Sequence, residues 1–383
     1  MDLLIGALIF LPFLTLIIAI HELGHFFAAR RFGMKITEYF VGFGPWRIWS
    51  RRKGELEYGV KPIFIGGYVK IAGMNPYEEN PAEDAPRLYG AKPIWQRAIT
   101  IFAGPGTHFV IAAMIFALGF TLFGDLNEPI SGRELVVDVV EPTLNGETSP
   151  AAAGGLRSGD LIVRLGDVEV PTSEQLSESL TSQVEDRPGE PIAVVVERDG
   201  QEIELQIVPE PAEVDGLPVG RLGVIVALSA PDPLSPGRAI VQGVSEVGRS
   251  VTLSFQQIGR VFSPSGVGRT FGLLFNDEAR QPDRDPTSVV GLSQQVGVIG
   301  SQGEWAWLFY VFGFVTVFIG LINLVPLPPF DGGHLLTLAI EKVRGKPVDM
   351  RTIIPVSAAV MAFFVLFVGA TIVLDVTKPI TIP

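Results

Sequence analysis

The stretch Ile18-Ala19-Ile20-His21-Glu22-Leu23-Gly24-His25-Phe26-Phe27 contains an H-E-x-x-H pattern at the end of an apolar run that begins at Leu3. Residues four apart leave a helix on the same face, so the imidazoles of His21 and His25 are expected to point the same way. Two such imidazoles can bind one zinc ion, and Glu22 between them can act as a general base on water. The stretch therefore predicts a Zn²⁺ site on a helix.

The same helix is predicted to cross a membrane. Leu3 to Ile20 carries no charge, and charged residues make up only 18% of the 383 residues of the chain. Asp2 stands where a signal peptide carries positive charge, and no A-x-A site follows the apolar run, so we expect a retained first span. The metal site would then lie inside the bilayer.

Composition excludes several classes of site and partner. The chain contains no cysteine, which rules out disulfide scaffolds, thiolate zinc sites and cysteine nucleophiles. Any metal must therefore bind to His, Asp or Glu side chains. The net charge of -12 argues against nucleic acid as a partner.

Four stretches are apolar and long enough to span a bilayer: Leu3–Ala29, Ala98–Phe123, Trp305–Leu324 and Ile353–Leu374. The loops after the first and third spans are rich in Lys and Arg, so the positive-inside rule predicts that both are cytoplasmic. The acidic segment after the second span is predicted to be extracytoplasmic, and both termini then face outward. The H-E-x-x-H pattern lies near the cytoplasmic end of its span.

The first cytoplasmic loop contains β-forming residues. Glu55–Ile71 predicts a β-hairpin or a bulge at Gly66-Gly67. Ile63-Phe64-Ile65 is apolar enough to enter the membrane where protein or a watery cavity covers it. A strand edge beside the metal helix could pair with an extended substrate, and a surface hairpin packed on the protein is the equally weighted alternative.

A globular insert is predicted between the second and third spans. Its expected elements are a helix over Ser173–Gln183, a tight turn at Asp199-Gly200, and the strands Glu134–Val140, Leu161–Val170, Ile192–Arg198 and Glu202–Val208. Ser149–Ile162 reads S-P-A-A-A-G-G-L-R-S-G-D-L-I and resembles the signature of bacterial PDZ domains. The resemblance implies a groove for peptide termini or extended segments, and a passive size filter with an empty groove is the alternative.

A further strand is expected at Gly220–Ala227, followed by an amphipathic helix. The helix is predicted because apolar residues recur at spacings of three and four: Val244, Val247, Val251, Phe255, Ile258 and Phe262. Its apolar face could rest on the membrane or pack on the insert, and packing against protein is the more common arrangement.

The third metal ligand is sought among His108, His334 and Asp331. Asn323-Leu324-Val325-Pro326-Leu327-Pro328-Pro329-Phe330-Asp331-Gly332-Gly333-His334 is the informative stretch, because its prolines must break the third span near the cytoplasmic boundary. That break brings Asp331 to about the depth of the two histidines. A plain Asp-Gly turn at the membrane surface is the alternative. With an H-E-x-x-H pattern at membrane depth in the same chain, we favour Asp331 as a ligand.

Taken together, the motifs resemble the RseP-type site-2 proteases, in the same order along nearly the whole chain. The matching segments are His21–His25, Gly67–Lys70, Trp95–Arg97, Ala103–Pro105, the PDZ-like signature and Asn323–Gly332. The single PDZ-like domain and the acidic composition are similar to the actinobacterial branch. The resemblance implies an intramembrane zinc endopeptidase that cuts transmembrane proteins after a site-1 protease has trimmed them. Anti-sigma factors and signal-peptide remnants are the expected substrates.

The resemblance also implies roles for individual residues. His21, His25 and Asp331 are expected to bind Zn²⁺, Glu22 to be the catalytic acid and base, and Asn323 to contact the scissile region. Substrate contacts are expected at Gly67, Tyr68, Val69 and Lys70. His108 departs from the family, which often has Asn there, and it is expected to form an interhelical hydrogen bond, with a metal-proximal or substrate-contacting role as the alternative. His334 is expected to cap a helix or to support a ligand.

We therefore predict a polytopic α-helical membrane protein with four transmembrane helices, a membrane-associated β-hairpin and one extracytoplasmic α+β PDZ-like domain. Residues 1–124 would form the first half of the protease core, 131–210 the PDZ-like domain, 211–300 an extracytoplasmic connector, and 301–383 the second half of the core. The protein is expected in the bacterial plasma membrane, in contact with the lipid bilayer. A membrane-tethered PDZ adaptor with a vestigial metal site and a metal-ion transporter are the alternative functions.

Overall fold

The structure is a computed structural model that describes residues 2–75, 78–125, 135–144, 147–169, 181–214, 217–228, 232–282 and 284–380. It contains two compact units: Met1–Leu122 together with Ser235–Pro383, and Phe123–Leu234. The division at Leu234 differs from the predicted domain limits at 210 and 300. Residues up to Leu234 belong with the insert, and residues from Ser235 onward belong with the membrane helices.

The helices of the chain are α1 (Asp2–Arg31), α2 (Ile94–Phe123), α3 (Pro150–Ala153), α4 (Pro236–Val261), α5 (Pro264–Gly272), α6 (Val289–Ser301), α7 (Trp305–Asn323), α8 (Asp331–Arg344) and α9 (Met350–Thr377). Within the described residues, α1, α2, α7 and α9 are long and apolar enough to cross a membrane. The four predicted spans are confirmed. Three of the four helices are a few residues longer than the predicted spans. Polar residues at a membrane boundary can continue a helix, and hydropathy does not show where such an extension ends.

The helix that carries the H-E-x-x-H pattern is held along the whole of its first half. Gly6 lets α1 approach α6 closely, since a Cβ there would come within 1.6 Å of the Ser293 carbonyl oxygen. The rings of Phe13 and Phe312 stack at 4.0 Å between centroids. The buried residues of this contact form one apolar cluster: Phe10, Leu14, Val296, Leu308 and Val315. Helices α6 and α7 thus pack against the first half of α1, and the H-E-x-x-H residues follow in its second half.

The loop between α1 and α2 forms a four-stranded sheet rather than the predicted hairpin. Its strands are β1 (Ile36–Phe43), β2 (Trp49–Lys53), β3 (Leu56–Val60) and β4 (Ile63–Ile71), and their order in the sheet is β2-β3-β1-β4. β1 lies between β3 and β4, parallel to the former and antiparallel to the latter. The predicted hairpin would pair β3 with β4. It is wrong because β1, a strand that was not predicted, lies between them and pairs with both.

The expectation of a bulge at Gly66-Gly67 is confirmed. Both residues lie inside β4, where the register with β1 shifts between Val41 and Phe43. Gly66 has a φ of +148°, and a Cβ on it would come within 2.1 Å of the Phe43 ring. Only glycine fits this position.

The second unit is rich in β-structure. Its strands are β5 (Leu135–Val140), β6 (Thr143–Leu144), β7 (Glu147–Thr148), β8 (Leu161–Leu165), β9 (Val168–Glu169), β10 (Ile192–Arg198), β11 (Gln201–Ile207), β12 (Glu210–Val214), β13 (Leu217–Arg221) and β14 (Val224–Leu228). The main sheet has the order β11-β10-β8-β5-β14. Because β14 pairs with β5, this unit extends beyond residue 210.

One turn and one helix cap in this unit follow from their residue types. Asp199 and Gly200 have φ values of +54° and +76° at the β10–β11 turn, as expected for a tight hairpin. Ser149 caps α3 by accepting a hydrogen bond from the Ala152 N–H. Most of the helix predicted over Ser173–Gln183 lies outside the described residues.

The predicted amphipathic helix is α4, and protein covers part of its apolar face. Val247, Val251 and Ile258 are half-buried, and the ring of Phe262 lies 5.2 Å from the Phe367 ring of α9. Val244 and Phe255 are exposed, whereas Ser250 and Ser254 are fully buried. Gly243 allows the contact with α2, because a Cβ there would lie 2.7 Å from the Ala113 carbonyl oxygen. The face with small and polar residues packs inward, and the apolar face is only partly covered.

Candidate metal centre

Helix α1 places two imidazoles at one point. His21 and His25 are only 7% and 6% exposed, and their Nε2 atoms lie 3.1 Å apart. One helical turn separates the two residues, so the spacing of four by itself produces this convergence.

The proline-broken segment brings the third group to the same point. Helix α7 ends at Asn323, and α8 begins at Asp331. Gly332 allows the close approach of the two helix ends, since a Cβ on it would lie 2.2 Å from the Leu324 carbonyl oxygen. Helix α8 is also tied to α2 through Arg97, whose Nη1 and Nη2 lie 2.9 and 2.6 Å from the Glu341 carboxylate.

The three donor atoms have the separations that a tetrahedral metal requires. Asp331 Oδ2 lies 3.2 Å from His21 Nε2 and 3.4 Å from His25 Nε2. Ligand bonds of about 2.0–2.1 Å at tetrahedral angles place neighbouring donors about 3.3 Å apart. Among the described residues, these three form the group that could hold a metal ion, and His334 is not part of it.

Glycine keeps the space beside the donors open. A Cβ on Gly104 of α2 would lie 2.3 Å from His25 Nε2 and 2.9 Å from His21 Nε2. The backbone of α2 therefore forms one wall of the metal cradle, and only a residue without a side chain fits there.

Helix α2 also contacts the far side of each imidazole. His25 Nδ1 lies 2.8 Å from the Thr100 carbonyl oxygen, and His21 Nδ1 lies 3.0 Å from His108 Nε2. A carbonyl can only accept, so His25 donates from Nδ1 and leaves its Nε2 lone pair free for a metal.

Glu22 faces the edge strand of the small sheet. Its Oε2 accepts a hydrogen bond from the Val69 N–H at 3.0 Å, and a Cβ on Gly67 would lie 3.4 Å from its Cγ. The described residues enclose a cavity of about 260 Å³ here, lined by His21, Glu22, His25, Tyr68, Val69, Ile71, Met74, Ile101, Asn323, Pro329, Phe330 and Asp331. Glu22, the three donor side chains and strand β4 thus line one cavity.

Two tyrosines anchor the sheet beside the site. Burial raises the pKa of Tyr39 to about 12, so its hydroxyl stays protonated and donates to the Ala19 carbonyl of α1 at 2.9 Å. Burial, reinforced by the carboxylate of Glu38, raises the pKa of Tyr68 well above its ordinary value. Tyr68 donates to Glu38 Oε2 at 2.6 Å. The Tyr39 contact thus holds β1 against the helix that carries the histidines, and the Tyr68 contact joins β4 to β1.

Most of the residues singled out from the sequence meet here. Asn323, Tyr68 and Val69 line the cavity and Gly67 abuts Glu22, whereas the Lys70 ammonium pairs with Glu78 instead. The sequence gives no indication that the Thr100 carbonyl contacts His25 or that the Val69 N–H contacts Glu22. Both are backbone groups, which leave no signature in the residue type.

Replacing Gly104 by alanine is expected to abolish metal binding, because the new methyl group would occupy the space beside both Nε2 atoms. The substitution raises helix propensity, so α2 itself should persist. Zinc content per purified chain measures the effect. Gly106→Ala is the matched control, since a Cβ there meets only the Phe102 ring at an ordinary 3.4 Å. Full zinc content in Gly104→Ala would contradict the geometry described above.

Comparisons with known proteins identify the family of the chain. The model of peptidase family M50 matches residues 9–368. The chain is 30% identical over 98% of its length to the zinc metalloprotease Rip1 of Mycobacterium tuberculosis, of which 98% is covered. It is 30% identical over 99% of its length to the zinc metalloprotease Rip1 of Mycolicibacterium smegmatis, again covering 98% of that protein. The chain therefore belongs to peptidase family M50 and is a membrane zinc metalloprotease of the site-2 type, with Zn²⁺ as its cofactor.

Proposed function

We propose that this chain carries out regulated intramembrane proteolysis. Its substrates would be single-span membrane proteins, such as anti-sigma factors or signal-peptide remnants, that a site-1 protease has already trimmed. The observation that carries the proposal is the donor set of His21, His25 and Asp331. Two of its members lie on a helix long and apolar enough to cross a bilayer.

His21, His25 and Asp331 would hold the zinc ion, and Glu22 would be the acid and base. Zinc, when bound, supplies a Lewis acid that polarises the scissile carbonyl and makes water more acidic. Glu22 takes a proton as the water oxygen bonds to the carbonyl carbon. It returns that proton to the amide nitrogen when the C–N bond breaks. Asn323 lines the same cavity, and its side-chain amide can donate to the developing oxyanion.

A substrate must lose its helical backbone bonds before its carbonyl can be attacked, and β4 offers replacement bonds. β4 is an edge strand of its sheet. It runs along α1, with the Phe64 carbonyl accepting from the Thr15 hydroxyl at 2.8 Å and the Val69 N–H reaching Glu22. An extended substrate segment that added to this edge would be held beside the base.

The remaining assignments are part of the same proposal. The β-rich unit would be a PDZ-like domain that binds peptide segments or restricts large substrates. Its support is the S-P-A-A-A-G-G-L sequence around the Ser149-capped helix α3. The protein would lie in the bacterial plasma membrane with both termini outside and the metal centre near the cytoplasm, as the basic loops indicate.

The test is cleavage of a synthetic single-span peptide by the purified full-length chain in detergent. We expect cuts within the span, loss of all activity after treatment with a zinc chelator, and recovery on adding Zn²⁺. A peptide whose span contains helix-weakening Gly and Pro should be cut faster than a uniform Leu span. Peptide binding without turnover would favour an adaptor, and zinc flux into liposomes without cleavage would favour a transporter.

A further inference from the structure

We propose that His108 is a positioning residue that fixes which nitrogen of His21 faces the metal. The inference rests on the proposed role of His21 as a zinc ligand. It concerns the hydrogen bond behind that ligand rather than the ligand itself.

The argument begins with the orientation of His21. Its Nε2 lies 3.1 Å from His25 Nε2 and 3.2 Å from Asp331 Oδ2, so Nε2 is the metal-facing atom. A neutral imidazole carries one proton, which must then lie on Nδ1. His21 Nδ1 is 3.0 Å from His108 Nε2, which must accept that proton in a hydrogen bond.

This requirement also determines the state of His108. Its Nε2 accepts only if it carries no proton, so the single proton of a neutral His108 lies on Nδ1. The pair therefore has one consistent arrangement, with donation from His21 to His108. Reversing it would put a proton on His21 Nε2 and block the metal position.

The two zinc-facing histidines are supported in parallel from α2. His25 donates to the Thr100 carbonyl at 2.8 Å, and His21 donates to His108. Outer hydrogen bonds of this kind orient a ligand and raise its basicity. The His25 support is a backbone group, whereas the His21 support is a side chain that can be replaced.

The hydrogen bond to His21 joins α1 to α2, so His108 forms the interhelical hydrogen bond expected from the sequence. The residue is 1% exposed, and its Nδ1 has no hydrogen-bond partner among the described residues. Gly320 of α7 makes room for it, because a Cβ there would lie 2.8 Å from the His108 Cβ. Helix α7 thus leaves room for the His108 ring but makes no polar contact with it. Within the described residues, the hydrogen bond of this ring is the one to His21.

The experiment measures the zinc dissociation constant of the full-length chain by competition with a chelator of known affinity. His108→Leu should weaken binding by about 10- to 100-fold, because Leu cannot accept from His21. His108→Gln should recover most of the affinity, since its amide oxygen can reach the position of Nε2 and accept there. Thr121→Val is the control on the same helix, because the Thr121 hydroxyl bonds, within the described part of the chain, to its own helix at the Ala117 carbonyl 2.7 Å away.

A second readout separates positioning from structural support. The metal-free forms of wild type and His108→Leu should unfold at similar temperatures, and the absorption bands of bound Co²⁺ should shift in His108→Leu but not in Thr121→Val. Wild-type affinity in His108→Leu, or equal losses in the Leu and Gln variants with a destabilised metal-free fold, would overturn the proposal. A wild-type chain that binds zinc but cleaves no peptide would overturn only the proposed function.

Discussion

Replacing Glu22 by glutamine is expected to lower the rate of peptide cleavage by about 10²- to 10⁴-fold while leaving zinc binding intact. Glutamine cannot take a proton from water, but its amide oxygen can still accept from the Val69 N–H, which lies 3.0 Å from Glu22 Oε2. The contact between α1 and β4 should therefore persist. Single-turnover cleavage of a single-span peptide and zinc content per chain measure the two properties separately.

Asp331→Asn is the matched comparison. It removes the anionic donor that lies 3.2 and 3.4 Å from the two imidazoles, so zinc content and activity should fall together. The two variants should therefore differ in zinc content. Glu22→Gln should lose activity but keep zinc, whereas Asp331→Asn should lose both. Parallel loss of zinc in Glu22→Gln, or cleavage within tenfold of wild type, would contradict the role assigned to Glu22.

Replacing Asp375 by asparagine is expected to destabilise the membrane unit by about 3–5 kcal/mol, because it leaves the guanidinium of Arg280 buried without its counter-charge. Both side chains are only 1% exposed, and Arg280 Nη1 lies 2.7 Å from Asp375 Oδ1. The carboxylate also accepts from the backbone N–H groups of Ser288 and Gly291, at 2.8 and 3.1 Å. This cluster ties the end of α9 to the beginning of α6. Thermal unfolding in detergent measures the loss.

Arg87→Gln is the control for this prediction. Arg87 makes an equally short contact with Glu55, at 2.6 Å, but both partners are about half exposed. Solvent screens such a pair, so its loss should lower the unfolding temperature far less than Asp375→Asn does. Replacing Arg280 and Asp375 together by apolar residues should recover part of the stability lost in Asp375→Asn. A cost below about 1 kcal/mol for Asp375→Asn would show that this carboxylate is not what holds α9 to α6 and to the segment before it.

The sequence was most informative where a local pattern has one physical meaning. A charge-free run of about 20 residues predicts a span, and the four spans are present in the structure. A spacing of four predicts that two histidines share a helix face, and their Nε2 atoms meet at 3.1 Å. Prolines predict a helix break, and α7 ends at Asn323 before the segment that leads to Asp331.

The predictions were wrong or incomplete where the structure depends on contacts between segments that are distant in the sequence. Glu55–Ile71 contains two strands, but nothing local shows that β1 lies between them. The residues of β1, Ile36–Phe43, are rich in β-branched and aromatic types, and that signal could have revealed the strand itself but not its position. For α4, periodicity predicts an apolar face but cannot say whether protein or lipid covers it.

The sequence alone determined the chemistry of this protein. Without cysteine, zinc must bind to His, Asp or Glu, and H-E-x-x-H offers two candidate ligands and a candidate base within one helical turn. Only the tertiary structure decided how that chemistry is enclosed: the 3.2 and 3.4 Å approach of Asp331, the open wall at Gly104, and the Thr100 carbonyl and Val69 N–H behind the reacting groups. Backbone groups of this kind occur in almost every residue, so their positions follow from the packing of helices and strands and not from residue type.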